Sequence, residues 1–155
     1  MATAMVVYDA WYGCTQAVAE EVARGLSADG RVATVVANVK TIDARQVLRH
    51  DVLVFGTPNH RGAPTPPMRR LLQSLGDADL RRRRFAFFET NWGLARGRAV
   101  GRMEQVLRDR NPFGFPSFMS LSVALQGPRG PIRPGELSQC YALGRSIRTG
   151  LAIPA

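Results

Sequence analysis

The stretch Val6–Leu26, VVYDAWYGCTQAVAEEVARGL, constrains this chain most. An apolar strand runs into a short loop with one glycine, and the loop runs into an amphipathic helix. Val18, Val22 and Leu26 recur at helical spacing with Ala19 and Ala23 beside them, while Glu20, Glu21 and Arg24 fall on the other face. In an open α/β protein such a loop is where a phosphate sits, because free N–H groups at a helix start face the ligand.

The rest of the chain repeats the alternation. Thr3–Tyr8 is a continuous apolar run of the kind found in strands buried on both faces. A second strand is expected over Arg31–Val39, a short helix over Ile42–Leu48, and a third strand over Asp51–Gly56. The turn-rich loop Thr57–Pro67 follows, and then a helix over Pro66–Leu75 with proline in its first turn. Arg84–Glu89 reads as the fourth strand, Thr90–Leu94 as a loop, and Arg96–Arg108 as a helix weakened by Gly97 and Gly101. Gly25 and Gly30 are read as loosening the end of the first helix. Asn111–Pro116 reads as a turn, Ser117–Gln126 as the fifth strand and Gly127–Pro134 as a rigid surface loop. The last helix spans Gly135–Leu151, with Leu137, Cys140, Tyr141, Gly144, Ile147 and Leu151 facing inward. Five strands alternating with helices predict a parallel sheet covered on both sides. No repeat or linker divides the 155 residues, so one domain over 1–155 is expected.

Composition narrows the functional classes. An apolar fraction of 45% and a charged fraction of 21% are those of a globular chain rather than a disordered one. No apolar run approaches the roughly 18 residues of a membrane span, and Met1 lies close to the first core strand with no signal-peptide pattern between; a cytoplasmic protein is expected. The net charge is +9, and all but Lys40 of the 21 basic residues are arginine. That charge fits an acidic partner or an anionic ligand, or a compositional bias toward arginine; nucleic acid is the weaker reading, because the densest run, Arg81–Arg84, reads as a solvated turn. Cys14 and Cys140 make neither a disulfide framework nor a metal site. Cys14, at a helix start, is either a thiol of lowered pKa or a small loop filler.

In an open α/β sheet, ligands bind outside the carboxyl ends of the strands. The ends of strands one, three and four present Ala10, Trp11, Tyr12, Gly13, Cys14 and Thr15; then Thr57, Pro58, Asn59, His60, Arg61 and Gly62; then Thr90, Asn91, Trp92 and Gly93. The first set offers backbone N–H groups, a glycine for close approach and a hydroxyl at the helix start. The others offer side chains that can hold a flat ring by stacking and backbone hydrogen bonds.

Three segments resemble the flavodoxin-like family. YDAWYGCTQAVAEEVARGL resembles the phosphate loop and first helix of flavodoxins and of the flavodoxin domains of flavodiiron proteins. VLVFGTPNHRGAPTPPMRRLLQSL resembles the third strand with its GTP turn, and also the flavodoxin-like quinone reductases. LQGPRGPIRPGELSQCYALGRSI resembles the closing strand, turn and last helix. The resemblance implies a three-layer sandwich around a five-stranded parallel sheet of order 2-1-3-4-5. It implies FMN at the carboxyl edge, its phosphate on Ala10–Thr15 and its ring between Thr57–Gly62 and Thr90–Gly93. The chain departs from the pattern at Ala10, where the family carries Ser or Thr, and at Cys14, where Asn or His is common. Trp11 is bulky where a small residue often sits, and TNWGL is poor in glycine.

Within that frame Trp92 is a stacking residue or a half-buried loop aromatic. His60 reads as exposed, and Arg61 is one arginine among many. Two functions follow. One is an FMN-binding protein in electron transfer or in reduction of a quinone-like acceptor, with NAD(P)H or an acidic redox protein as partner. The other is a flavin-free module with a degraded site, acting in protein interaction. Exposed apolar side chains would decide whether it forms a homodimer.

Overall fold

The computed structural model describes residues 1–76, 78–93, 95–111 and 118–151, the side chain of Phe118 excepted. Strands β1 (Ala2–Tyr8), β2 (Val32–Asn38), β3 (Val52–Pro58), β4 (Arg84–Asn91) and β5 (Phe118–Ala124) alternate with helices α1 (Cys14–Ser27), α2 (Ala44–Val47), α3 (Pro66–Ser74), α4 (Arg98–Asp109) and α5 (Glu136–Thr149). The sheet has the order β2-β1-β3-β4-β5. Every pairing is parallel, with Val6 opposite both Val36 and Val54 and Phe55 opposite Phe87.

The apolar strands are continuous because both faces are covered. Ala4, Val6, Val54, Ala86 and Phe88 pack with Val18, Val22 and Leu26 of α1 and with Cys140, Leu143 and Ile147 of α5. Met5, Val7, Leu53, Phe55, Phe85 and Phe87 pack the other way, against Val47 of α2, Met68, Leu71 and Leu72 of α3, and Met103 and Leu107 of α4. Each large apolar side chain so buried contributes about 1.5–3 kcal/mol, and the three phenylalanines of the second layer stack with centroids 6.0–6.5 Å apart.

Several boundaries move. The short helix expected over 42–48 is the four-residue α2, and a 3₁₀ turn at Val39–Thr41 precedes it where the second strand was expected to end. At the start of α2 Asp43 and Gln46 cap each other reciprocally. Strands β3 and β4 run past Gly56 and Glu89, so Thr57, Pro58, Thr90 and Asn91 are strand residues. Gly56 does not close its strand: a Cβ there would lie 1.9 Å from Phe88 Cζ, so glycine leaves space for that ring. Leu137 is exposed, and Leu143 takes the inward position. Residues 112–116 of the expected turn, Ser117 and Leu94 lie outside the described residues.

Gly25, expected to loosen α1, instead holds it against α5. A Cβ on Gly25 would lie 2.2 Å from Tyr141 O, and one on Gly144 would lie 2.1 Å from Val22 O. The two backbones touch where both side chains are absent. Gly144→Ala should therefore lower stability by about 1–3 kcal/mol through overpacking, despite alanine's helix propensity. The check is the urea midpoint at unchanged slope; a midpoint at or above that of the parent would show that the helices have room to part.

Candidate functional site

The first loop leaves β1 at Asp9, which is 1% exposed. Its carboxylate accepts hydrogen bonds from Ala10 N at 2.9 Å and from Thr65 Oγ1 at 2.6 Å, and Lys40 Nζ stands 3.9 Å away. These bonds tie the first loop to the start of α3. The chain then turns through Gly13, whose φ of +87° is the left-handed conformation that glycine adopts without strain. Gly13 is the N-cap of α1 and has no side chain to satisfy the helix's first N–H groups. Next to it, Thr15 Oγ1 and Thr90 Oγ1 are 2.9 Å apart and buried, joining the first loop to β4. Trp11 and Tyr12 stand outward, 49% and 56% exposed. Trp11 meets the His60 ring edge-on at 5.0 Å, and Arg129 lies over the Tyr12 ring at 5.1 Å.

The second and third strand ends are locked together by a residue that sequence reading passed over. Glu89, read only as the end of a strand, is fully buried. Its carboxylate accepts from Asn59 Nδ2 at 3.0 Å, Gly97 N at 3.1 Å, Ser122 Oγ at 3.1 Å and Val100 N at 3.2 Å. It thus serves as the cap that Gly97 does not supply to α4, and its negative charge suits the positive end of that helix. Asn59 also donates to Ala95 O and accepts from Gly62 N, so the loop after β3 is clamped to the loop after β4. Arg61 follows at φ +52°, and His60 and Ala63 pair their backbones.

A pocket of about 290 Å³ opens where these ends meet. Trp11, Tyr12, Cys14, Thr15, Pro58, Asn59, Thr90 and Trp92 line it, and Trp92 is 57% exposed. Leu125, Pro128 and Arg129 complete it from the β5–α5 loop. That fourth wall was not anticipated. The repeated Gly-Pro of GPRGP signalled a rigid loop, but nothing local said that it folds back, as it does through Gln126 N to Pro131 O and Arg133 N to Ala124 O. Among the other expected residues, Ala10, Gly13, Thr57, His60, Arg61, Gly62, Asn91 and Gly93 are not in the lining. Thr57 and Gly62 are buried, with Thr57 Oγ1 accepting from Thr65 N, and Asn91 donates to Ser122 Oγ. These residues lie outside the lining, and Gly13, the N-cap of α1, adjoins it through its neighbour Cys14.

Electrostatically the pocket is cationic. The carboxylates nearest its three strand ends, Asp9 and Glu89, are buried and engaged in internal bonds, and Arg129 is the charged side chain in the lining. The uncapped N-terminus of α1 adds a partial positive charge of roughly half a unit. The arrangement can take an anion at the helix start and an aromatic ring between exposed aromatic side chains.

The two thiols differ. Cys14 is half-buried, its Sγ 3.8 Å from Arg129 O. Burial pushes the Cys140 thiol up to about 12, with Glu136 and Glu21 adding to the shift.

The flavodoxin family model matches residues 6–111. Among solved structures, a flavodoxin from Streptococcus pneumoniae superposes with a TM-score of 0.80 at 17% identity, covering 97% of this chain and 100% of that one. Flavodoxin 1 from Bacillus cereus gives 0.82 at 17% identity, with the same coverage. A flavodiiron core from Synechocystis gives 0.71 at 20% identity; it covers 96% of this chain but 35% of the longer protein. At these identities the likeness is one of fold. A search of curated protein sequences finds no match.

Two outcomes test the geometry. Glu89→Ala leaves four donors without their acceptor and should cost about 3 kcal/mol of unfolding free energy, measured by denaturant titration; a loss below about 1 kcal/mol would mean that the donors find other partners. The Cys140 thiol stays neutral in the fold while the unfolded thiol ionises near its ordinary value of 9.0. Its contribution to stability is therefore complete below that value and is lost as pH rises toward about 12. At mildly alkaline pH a thiol reagent should modify Cys14 in the native protein and Cys140 only after unfolding. Equal reactivity of the two would contradict that burial.

Proposed function

The chain belongs to the flavodoxin family, whose cofactor is FMN, and from that premise we propose that the pocket at the strand ends is its FMN site. The observation that carries the reading is the uncapped start of α1 at Gly13, set beside a pocket with aromatic walls. The family's role is electron transfer; reduction of a small quinone-like acceptor at the same pocket is the finer form of the proposal.

The residues present suit the group. The loop Ala10–Thr15 would hold the phosphate through backbone N–H groups and the Thr15 hydroxyl, with Arg129 as a nearby counter-charge. Pro58, Asn59, Trp11 and Trp92 would hold the ring, with Thr57, His60, Arg61, Gly62, Thr90, Asn91 and Gly93 shaping the loops around them. FMN, when bound, supplies the redox chemistry. The chain's own work is to orient the ring and shield it from water. The Asn59–Glu89 clamp keeps two of the three loops from moving independently, and Thr15–Thr90 ties in the first.

The departures weaken the cradle without removing it. Ala10 has no hydroxyl to offer, and each missing neutral hydrogen bond is worth about 0.5–1.5 kcal/mol. The Thr15 hydroxyl has one partner in Thr90 and keeps capacity for a second.

The test is a titration of the purified protein with FMN followed by flavin fluorescence. Saturable quenching at micromolar protein is expected. Gly13→Ala should weaken binding about tenfold, because a side chain disfavours the left-handed turn by about 1–2 kcal/mol. No quenching at high protein concentration would overturn the FMN reading. A flavin-free interaction module would then be the reading to test.

A further inference from the structure

We propose that the corner formed by the β3–α3 and β4–α4 loops, beside the pocket mouth, is a docking surface for an acidic electron-transfer protein. The proposal rests on the FMN reading, because a second redox centre has to be brought to that mouth.

The corner is built from exposed arginines. Arg61 leaves the second loop in the left-handed conformation. Arg98 packs beside Gly62, where a Cβ would lie 3.2 Å from its Cδ. Arg96 lies between Gly97 and Ala95, whose carbonyl accepts from Asn59. Arg69 of α3 and Arg102 of α4 line the same cleft with Ala63 and Pro64. All five are exposed, and none makes an ion pair with a described carboxylate. The carboxylate in that cleft is Asp109, which accepts from Gln105 Nε2; Glu104 is paired with Arg108. On the far side of the sheet α1 carries Glu20 and Glu21 beside Arg24, so the positive charge is not spread evenly over the molecule.

Arginines this exposed, with no ion-pair partner among the described residues, repel one another. That arrangement lowers stability and is offset when carboxylates approach. Arginine offers a planar fork that pairs with carboxylates in two bonds, which lysine does not. Next to the corner, Trp11, Tyr12 and Trp92 are each about half exposed around the pocket. An apolar aromatic centre with a charged rim is the anatomy of a protein interface, and Trp, Tyr and Arg are its most energetic residues. A small anion would need one tight cluster of donors, whereas these cations are spread over two helices and two loops. The pairing is electrostatic and steers encounter, so it is sensitive to salt.

The test is equilibrium binding of the purified protein, with and without FMN, to three immobilised probes: a ferredoxin of net negative charge, a cytochrome c of net positive charge and a single-stranded oligonucleotide. The ferredoxin should bind, and raising salt from about 50 mM to about 300 mM should weaken it about tenfold. Arg69→Glu with Arg102→Glu should weaken it about tenfold at low salt, while Arg82→Glu, in the turn before β4, should not. Binding independent of salt, equal loss in both variants, or tighter binding of cytochrome c would overturn the proposal. So would tighter binding of the oligonucleotide lost in the double variant, which would make the corner a nucleic-acid surface. If the double variant fails to fold, the salt response and the probe comparison on the parent protein still decide. Because the binding is read without FMN as well, a failed flavin titration and a failed docking surface are separate results.

Discussion

Burial on both faces of β1, β3 and β4 is the constraint on which the rest depends. Ala4, Val6 and Tyr8 face one helical layer while Met5 and Val7 face the other. Strands of this kind have no polar face to turn to water, so each must be covered twice. A parallel sheet meets that demand by returning the chain through helices on both sides, α1 and α5 on one and α2, α3 and α4 on the other, and every strand then ends at the same edge. Gathering the loops at that edge is therefore a consequence of core packing. The close approach of α1 and α5 through Gly25 and Gly144 serves the same end, drawing that helical layer together over the sheet.

What the core cannot do is hold loops still. Polar groups taken out of water do that here. Asp9 and Glu89, buried where strands end, would each be costly without partners. Asp9 takes Thr65 and the backbone of Ala10; Glu89 takes Asn59, Ser122 and two backbone donors at the start of α4. Each carboxylate therefore fastens the end of its own strand to a helix start. Helix α4 has its first N–H groups answered from within the protein, and α1 has no side chain in that role at Gly13. Helices α1, α4 and α5 all begin at a left-handed glycine, and α1 is the one whose open start adjoins the pocket lining, through Cys14 and Thr15.

The surface follows a different logic. Nothing in the packing calls for arginines to face outward on the α3–α4 side, and the fold would form with fewer. Family members of the same shape need not share partners, since the fold is set by buried positions and the encounter surface by exposed ones. The charge of this chain therefore speaks to association and solubility rather than to architecture.

Much was legible in the amino-acid sequence alone: the alternation of strands and helices, the strand order through family resemblance, and the glycine that opens α1. Apolar periodicity and turn residues are local signals, and they locate elements to within a few residues. The sequence could not show that Glu89 is buried with its bonds satisfied, because two of its four partners, Asn59 and Ser122, are 30 and 33 residues away and are met only across the sheet. Nor could it show that Gly56 yields space to Phe88, that Leu137 faces solvent, or that Arg129 closes the pocket from a fourth loop. Hydrophobic patterning is written along the chain and fixes which segments are buried. Hydrogen-bond partners and pocket walls are set by which strand ends become neighbours, and only the folded sheet decides that.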